Sequence, residues 1–195
     1  MCDFLFKLDL EKQTKEKLLA IIGRVSFDFL GFTLDLKKGT ITDKLGNGSA
    51  ILSERHIQIL ATLLSHYAQA NPKRPEGKLV KFKDLPGGTS YEQAFIQRAI
   101  QPIADYFGKN PKKLIQAAKK LGGKDLDFAD ASFEIDALKG IPLRYTLWGT
   151  EEFEASANIL YDQSASNYLP TEDLAVLGEL TTGRLIQAAV SCSIE

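Results

Sequence analysis

The chain has 195 residues, of which 44% are hydrophobic and 25% are charged. These values are typical of a globular protein, and a chain of this length buries enough surface to fold without disulfides or a bound metal. A formal net charge of -1 gives the whole molecule no attraction to nucleic acid or to an anionic membrane.

The two cysteines, Cys2 and Cys192, lie near opposite ends of the chain. Neither has the clustered thiol or imidazole neighbours that a zinc or iron–sulfur site requires. Residues 1–10 are too charged for a secretory signal, and no apolar run approaches the ~20 residues of a membrane helix. We therefore predict a cytoplasmic protein that binds neither nucleic acid nor membrane and holds no cofactor through its thiols.

The first part of the chain shows helix, strands and helix in that order. Apolar spacing predicts a helix over residues 11–22 that ends at Gly23. Alternating apolar and polar residues predict strands over 25–30, 32–36 and 40–43. Ser53 is a suitable N-cap for a helix over residues 54–70.

The second part begins with a short β-like run over 78–82 and a turn over 84–88. Ser90 predicts a helix to residue 99 that Pro102 breaks or restarts. Asn110 followed by Pro111 predicts a helix over 111–121. Strands are predicted over 129–135, 142–148 and 158–161, and Thr171 is predicted to cap a last helix that ends near residue 190.

This order favours the α+β class over alternating βαβ units. We expect one domain with a mostly antiparallel sheet and helices packed on it, over residues 25–195. Residues 1–24 are expected to form an N-terminal helical arm. The strands within 25–43 and 129–161 are expected to share one sheet.

The segment from residue 142 to 177 combines aromatic side chains with many carboxylates and hydroxyls. A concave binding site needs an apolar wall and a few oriented polar groups, and this segment offers both. Each residue also has a structural explanation: core packing for the indole, turn capping for Asp162, and solvation for the glutamates. The candidate ligand-binding residues are Trp148, Glu151, Glu152, Asp162, Tyr168, Tyr91, Gly87 and Gly88.

Three functions fit these residues. The first is a non-catalytic binding domain in which Trp148, Tyr91 and Tyr168 line one cleft. The second is a hydrolase or transferase in which Glu151, Glu152 and Asp162 act on a substrate or hold a divalent cation such as Mg²⁺ or Ca²⁺. The third is a protein-interaction module, because lysines along residues 73–83 and 109–124 oppose an acidic stretch between residues 145 and 183.

An ordered set of short motifs supports a family resemblance. It comprises Leu85-Pro86-Gly87-Gly88, Tyr91, Ala94-Phe95, Pro102, Phe107-Gly108, Leu121-Gly122-Gly123, Pro142-Leu143, Leu147-Trp148, Glu151-Glu152-Phe153, Ile159-Leu160-Tyr161-Asp162 and Tyr168-Leu169-Pro170-Thr171-Glu172-Asp173-Leu174. With this set the chain resembles the bacterial and archaeal domain-of-unknown-function 3786 family from about residue 29 to residue 186.

The resemblance implies a context and no established activity. Similar proteins often come from anaerobes, and some carry a cysteine-rich iron–sulfur module of the type found with corrinoid proteins of one-carbon metabolism. This chain lacks those cysteines, so the resemblance implies that any cluster belongs to an iron–sulfur or corrinoid protein partner. A corrinoid or a divalent cation is the cofactor that these considerations leave open.

Overall fold

The computed structural model describes residues 4–45, 52–149 and 154–190. The chain forms two compact units, Met1–Pro72 and Lys73–Glu195, and each is described here by itself. No helix among the described residues is long and apolar enough to cross a membrane.

The first unit contains an antiparallel sheet and two helices. The strands are β1 (Phe4–Lys7), β2 (Ser26–Phe29), β3 (Phe32–Asp35) and β4 (Thr40–Asp43), in the order β1-β4-β3-β2. The helices are α1 (Lys12–Ile22) and α2 (Glu54–Tyr67).

Local signals account for most of the first unit. The backbone of Gly23 is left-handed, and its N–H donates to the carbonyl of Leu19, which ends α1 as predicted. The Ser53 hydroxyl caps α2 by accepting the N–H of His56, and the Ser53 N–H donates in turn to Nδ1 of His56. In β3, Phe32 and Leu34 are fully buried while Thr33 and Asp35 are half-buried, and this alternation places one face of the sheet in the core.

The second unit contains a five-stranded antiparallel sheet in the order β5-β9-β8-β7-β6. Its strands are β5 (Leu79–Lys81), β6 (Lys124–Leu126), β7 (Ala131–Leu138), β8 (Ile141–Trp148) and β9 (Ser156–Asp162). Its helices are α3 (Glu92–Phe95), α4 (Gln101–Phe107), α5 (Pro111–Lys120) and α6 (Thr171–Val190).

The helical segment that contains Pro102 is continuous. A π-helical turn over Ile96–Ile100 joins α3 to α4. Pro102 lies in the first turn of α4, where its missing N–H is tolerated. Neither the break nor the restart that the sequence predicted at Pro102 is therefore observed, although α4 covers the predicted segment 102–107. Ser90 does not cap a helix, because residues Gly88–Tyr91 form a 3-10 turn and α3 begins at Glu92.

Aromatic rings fill the core between the second sheet and its helices. Phe82 stacks on Phe95 with 4.2 Å between ring centroids, and the Tyr161 ring lies 6.0 Å from Phe95. The Tyr161 hydroxyl donates to the carbonyl of Leu174 at 2.8 Å, so the polar end of this buried ring is satisfied. Gly178 of α6 makes this packing possible, because a Cβ there would lie 2.6 Å from both Phe95 and the Tyr161 hydroxyl.

The α+β class and the antiparallel strands are confirmed. The expectation that the strands within 25–43 and 129–161 share one sheet is wrong, because β2, β3 and β4 lie in one sheet with β1, and β7, β8 and β9 lie in another with β5 and β6. Strands β1 and β6 were not predicted from the sequence. Since β1 pairs with β4, Phe4–Lys7 contribute a strand to the first sheet. The division into an arm of residues 1–24 and a domain of residues 25–195 stays a prediction.

Candidate functional site

The candidate residues occupy several separate elements of the second unit. Trp148 is the last residue of β8, is 42% exposed and pairs across the sheet with Ser156. Tyr91 ends a 3-10 turn and is 43% exposed. Glu151 and Glu152 lie outside the described residues, so their predicted roles stay predictions.

Tyr168 is buried, and its hydroxyl donates to the carbonyl of Lys73 at 2.5 Å. Burial raises the pKa of this phenol, although the hydrogen bond to Lys73 opposes the rise. The hydroxyl thus holds the segment that precedes β5 against the segment that follows β9.

Asp162 also connects these two segments. Its carboxylate accepts the backbone N–H groups of Glu76 (2.9 Å), Gly77 (2.6 Å) and Ser164 (2.9 Å). Burial by itself raises the pKa of Asp162, but the hydrogen bonds from Ser164, Glu76 and Gly77 outweigh it and hold the pKa below its ordinary value. The structural explanation of Asp162, that it caps a turn, agrees with these contacts.

Replacing Asp162 by asparagine is expected to lower the free energy of unfolding by about 2 kcal/mol at pH 7, because an amide cannot accept all three N–H groups. The folded-state pKa lies below the unfolded value near 3.8, so the stabilisation is complete above that value and is lost as the pH falls through the folded pKa. Urea unfolding of both proteins between pH 3 and pH 7 measures this. A difference that stays constant over this range would contradict the role given to Asp162.

Gly87 and Gly88 have backbone roles. Gly87 adopts a left-handed conformation with φ of 77°. Gly88 is buried, and a Cβ there would overlap the carbonyl oxygen of Phe82. The turn therefore needs both glycines for its geometry.

Thr171 does not cap α6 as predicted. It is the first helical residue, and its hydroxyl donates to the carbonyl of Pro86 at 2.6 Å.

A groove of about 290 Å³ lies elsewhere on the second unit. Residues 81–83 form one wall, side chains between residues 92 and 104 form another, and residues 155–159 of β9 and the segment before it form the third. None of the described candidates (Trp148, Asp162, Tyr168, Tyr91, Gly87 and Gly88) lines this groove. The groove was therefore not predicted from the sequence.

The groove exists because β5 is shorter than its neighbour. Lys81, the last residue of β5, lies opposite Leu160 of β9, and the chain then turns into a 3-10 turn over Phe82–Asp84. Strand β9 begins four residues earlier, at Ser156, and on that side it has no neighbouring strand among the described residues. The groove lies along this uncovered length of β9.

The lining combines charge with apolar surface. Lys81, Lys83 and Glu92 supply two positive charges and one negative charge. The Lys83 amine and the Glu92 carboxylate are 3.8 Å apart and both partly exposed, so their attraction is weak. Ile96 and Ile100 are half-buried and form the apolar part of the opposite wall.

The comparisons with known proteins give one match. The family model described as "Domain of unknown function (DUF3786)" matches residues 9–184, which is most of the chain. The chain belongs to the DUF3786 family. The resemblance drawn from the ordered motifs is thereby confirmed. No curated protein and no solved structure is similar enough to this family member to count as a match.

Family membership assigns no activity, so chemistry must come from the described residues. These contain no group of three or more His, Cys, Asp or Glu side chains placed to hold a metal ion. The divalent-cation prediction stays untested, because Glu151 and Glu152 lie outside the described part of the chain.

Proposed function

We propose that this chain is a non-catalytic binding domain whose ligand carries negative charge and binds in the groove beside β9. The observation that supports this is the uncovered length of β9, which lies beside two lysines and an apolar helical wall. A flat apolar wall with a few polar groups is typical of binding sites. The excess of positive charge in the groove favours a negatively charged ligand.

The volume of the groove limits what it can enclose. At about 290 Å³ it lies at the lower end of the ~300–1,000 Å³ range of sites that surround a drug-sized ligand. A large ligand such as a corrinoid would leave most of its surface outside. The groove therefore suits a small anion or one segment of a larger partner.

The metabolic setting is part of the proposal. The domain would act as an accessory to anaerobic one-carbon, corrinoid or iron–sulfur metabolism, and its ligand would belong to an iron–sulfur or corrinoid protein. The support is the family context together with the cationic groove. This proposal includes the third predicted function, that of a protein-interaction module, because the partner protein would contact the same groove.

Equilibrium dialysis against a panel of cobalamin, folate, nucleotides and acidic peptides tests the proposal. Trp148 provides a second signal, because it pairs with Ser156, which lines the groove, and it is the single tryptophan of the chain. We expect at least one member of the panel to bind. As its concentration rises, the fluorescence of Trp148 should change until it reaches a plateau.

Charge reversal locates the binding. Lys81→Glu is expected to weaken binding about fivefold, because an exposed charge contributes up to about 1 kcal/mol. Lys112→Glu is the matched control, since Lys112 is exposed on α5 and does not line the groove. If no member of the panel binds, or if the two variants weaken binding equally, the proposal is wrong.

A further inference from the structure

The direction of the backbone groups on β9 can be derived from a hydrogen bond at its end. Gln163 donates its N–H to the carbonyl of Lys78 at 2.8 Å, and these two residues lie opposite each other in the register of β5 and β9. In an antiparallel pair, alternate residues point both their N–H and C=O groups to the same side. Tyr161, Ile159 and Ala157 therefore point these groups towards the β5 side of the strand.

Ala157 lies beyond the end of β5. The last pair between these strands is Lys81 with Leu160, so Ala157 presents one N–H and one C=O to the groove where β5 no longer runs. A strand edge that no described strand covers is a template for another extended chain. A single residue of an antiparallel peptide could exchange two hydrogen bonds with Ala157.

From this geometry we infer that the ligand is an extended acidic peptide segment of a partner protein, which adds a strand to the edge of β9 in line with β5. This inference rests on the proposed function and names the chemical class of the ligand. Main-chain hydrogen bonds supply affinity in this mode of recognition, and pockets for alternate side chains supply specificity.

The walls of the groove match the side chains of such a peptide. Side chains alternate between the two faces of a strand, so one set faces the helices and the other faces away. Ile96 and Ile100 offer an apolar surface to the first set. Lys81 and Lys83 lie at the end of the groove where β5 stops, and they can pair with carboxylates of the peptide.

The probe is a short peptide in which glutamate and valine alternate, with its ends capped. Two isomers of the probe carry N-methyl groups either on every glutamate or on every valine. Each isomer loses the hydrogen-bond donors of one edge and keeps the charge, side-chain sequence and length of the parent. The isomers are therefore controls for each other.

We expect the parent peptide to bind and one isomer to bind at least about tenfold more weakly than the other, because strand addition uses only one edge of the peptide. Equal binding of both isomers would overturn the inference. Binding of a small anion to the groove with no binding of the parent peptide would also overturn it, while leaving the proposed function in place. If neither binds, both are wrong.

A second copy of the chain is the other possible occupant of this edge. Gel filtration of the unmodified protein and of Ala157→Pro is carried out across a range of protein concentrations. We expect it to show no dimer that the substitution dissociates. A dimer that this substitution dissociates would show that the edge pairs with itself, and it would overturn the inference. Circular dichroism of the variant establishes that the substitution leaves the fold intact.

Discussion

Replacing Phe95 by alanine is expected to lower the free energy of unfolding by about 4 kcal/mol. Phe95 is 1% exposed, and its ring packs with those of Phe82 and Tyr161 in the core of the second unit. Alanine would leave a cavity whose lining cannot collapse, because α6 already approaches closely through Gly178. Urea unfolding followed by circular dichroism measures the loss.

Phe128→Ala is the matched control, since it removes the same side chain from a surface position. Phe128 is 57% exposed, and its ring lies 5.3 Å from the Arg144 guanidinium. Its loss is expected to cost at most about 1 kcal/mol, which is the contribution of an exposed cation–π contact. Equal destabilisation by the two substitutions would contradict the aromatic core described here.

Replacing Gly88 by alanine is expected to cost about 3 kcal/mol, because the added Cβ would overlap the carbonyl oxygen of Phe82 and lie 3.1 Å from the Cα of Lys83. Both atoms belong to the backbone of the segment that forms one wall of the groove, so neither can rotate away. We therefore expect Gly88→Ala to weaken binding in the groove as well as stability.

Gly87→Ala separates this steric effect from the loss of backbone freedom. Its added Cβ would meet no atom within 4 Å, and only the left-handed φ of 77° opposes it. The expected cost is about 1 kcal/mol, which is typical of a non-glycine residue in that conformation. Thermal and urea unfolding compare the two variants, and a larger cost for Gly87→Ala would show that the close approach at Gly88 is wrong.

The sequence predicted the elements that local signals define. Gly23 ends α1 through a left-handed backbone, and Ser53 begins α2 through its hydroxyl, so each needs only neighbours in the chain. Strand pairing is different, because it depends on residues far apart in sequence. The pairing of β1 with β4 and the separation of the strands into two sheets could not be derived from alternation alone.

The groove was missed for the same reason. Its walls come from three distant segments, and its most important group is the backbone of Ala157, which every residue type except proline carries. Two signals were visible in the sequence: the run at 78–82 is short, and Lys81 and Lys83 follow each other at a spacing of two. Their meaning depends on the register of β5 against β9, which the sequence does not state.

Asp162 and Tyr168 illustrate the opposite case. Both were identified as polar residues that could serve a ligand, and both are used within the fold, on the backbone of residues 73–77. A polar side chain beside a strand end can serve a ligand or a loop, and only the positions of the loop atoms decide between them.

Amide hydrogen exchange at β9, measured by NMR with and without the alternating glutamate–valine peptide, tests the central claim most directly. Ala157 and Asn158 are half-buried neighbours that both line the groove, but the backbone N–H of Ala157 points to the β5 side and that of Asn158 points to Thr146 of β8. We predict that saturating peptide slows exchange of the Ala157 amide at least about tenfold and leaves that of Asn158 nearly unchanged. Unchanged exchange at Ala157 under saturating peptide would contradict the claim that a ligand binds along this edge.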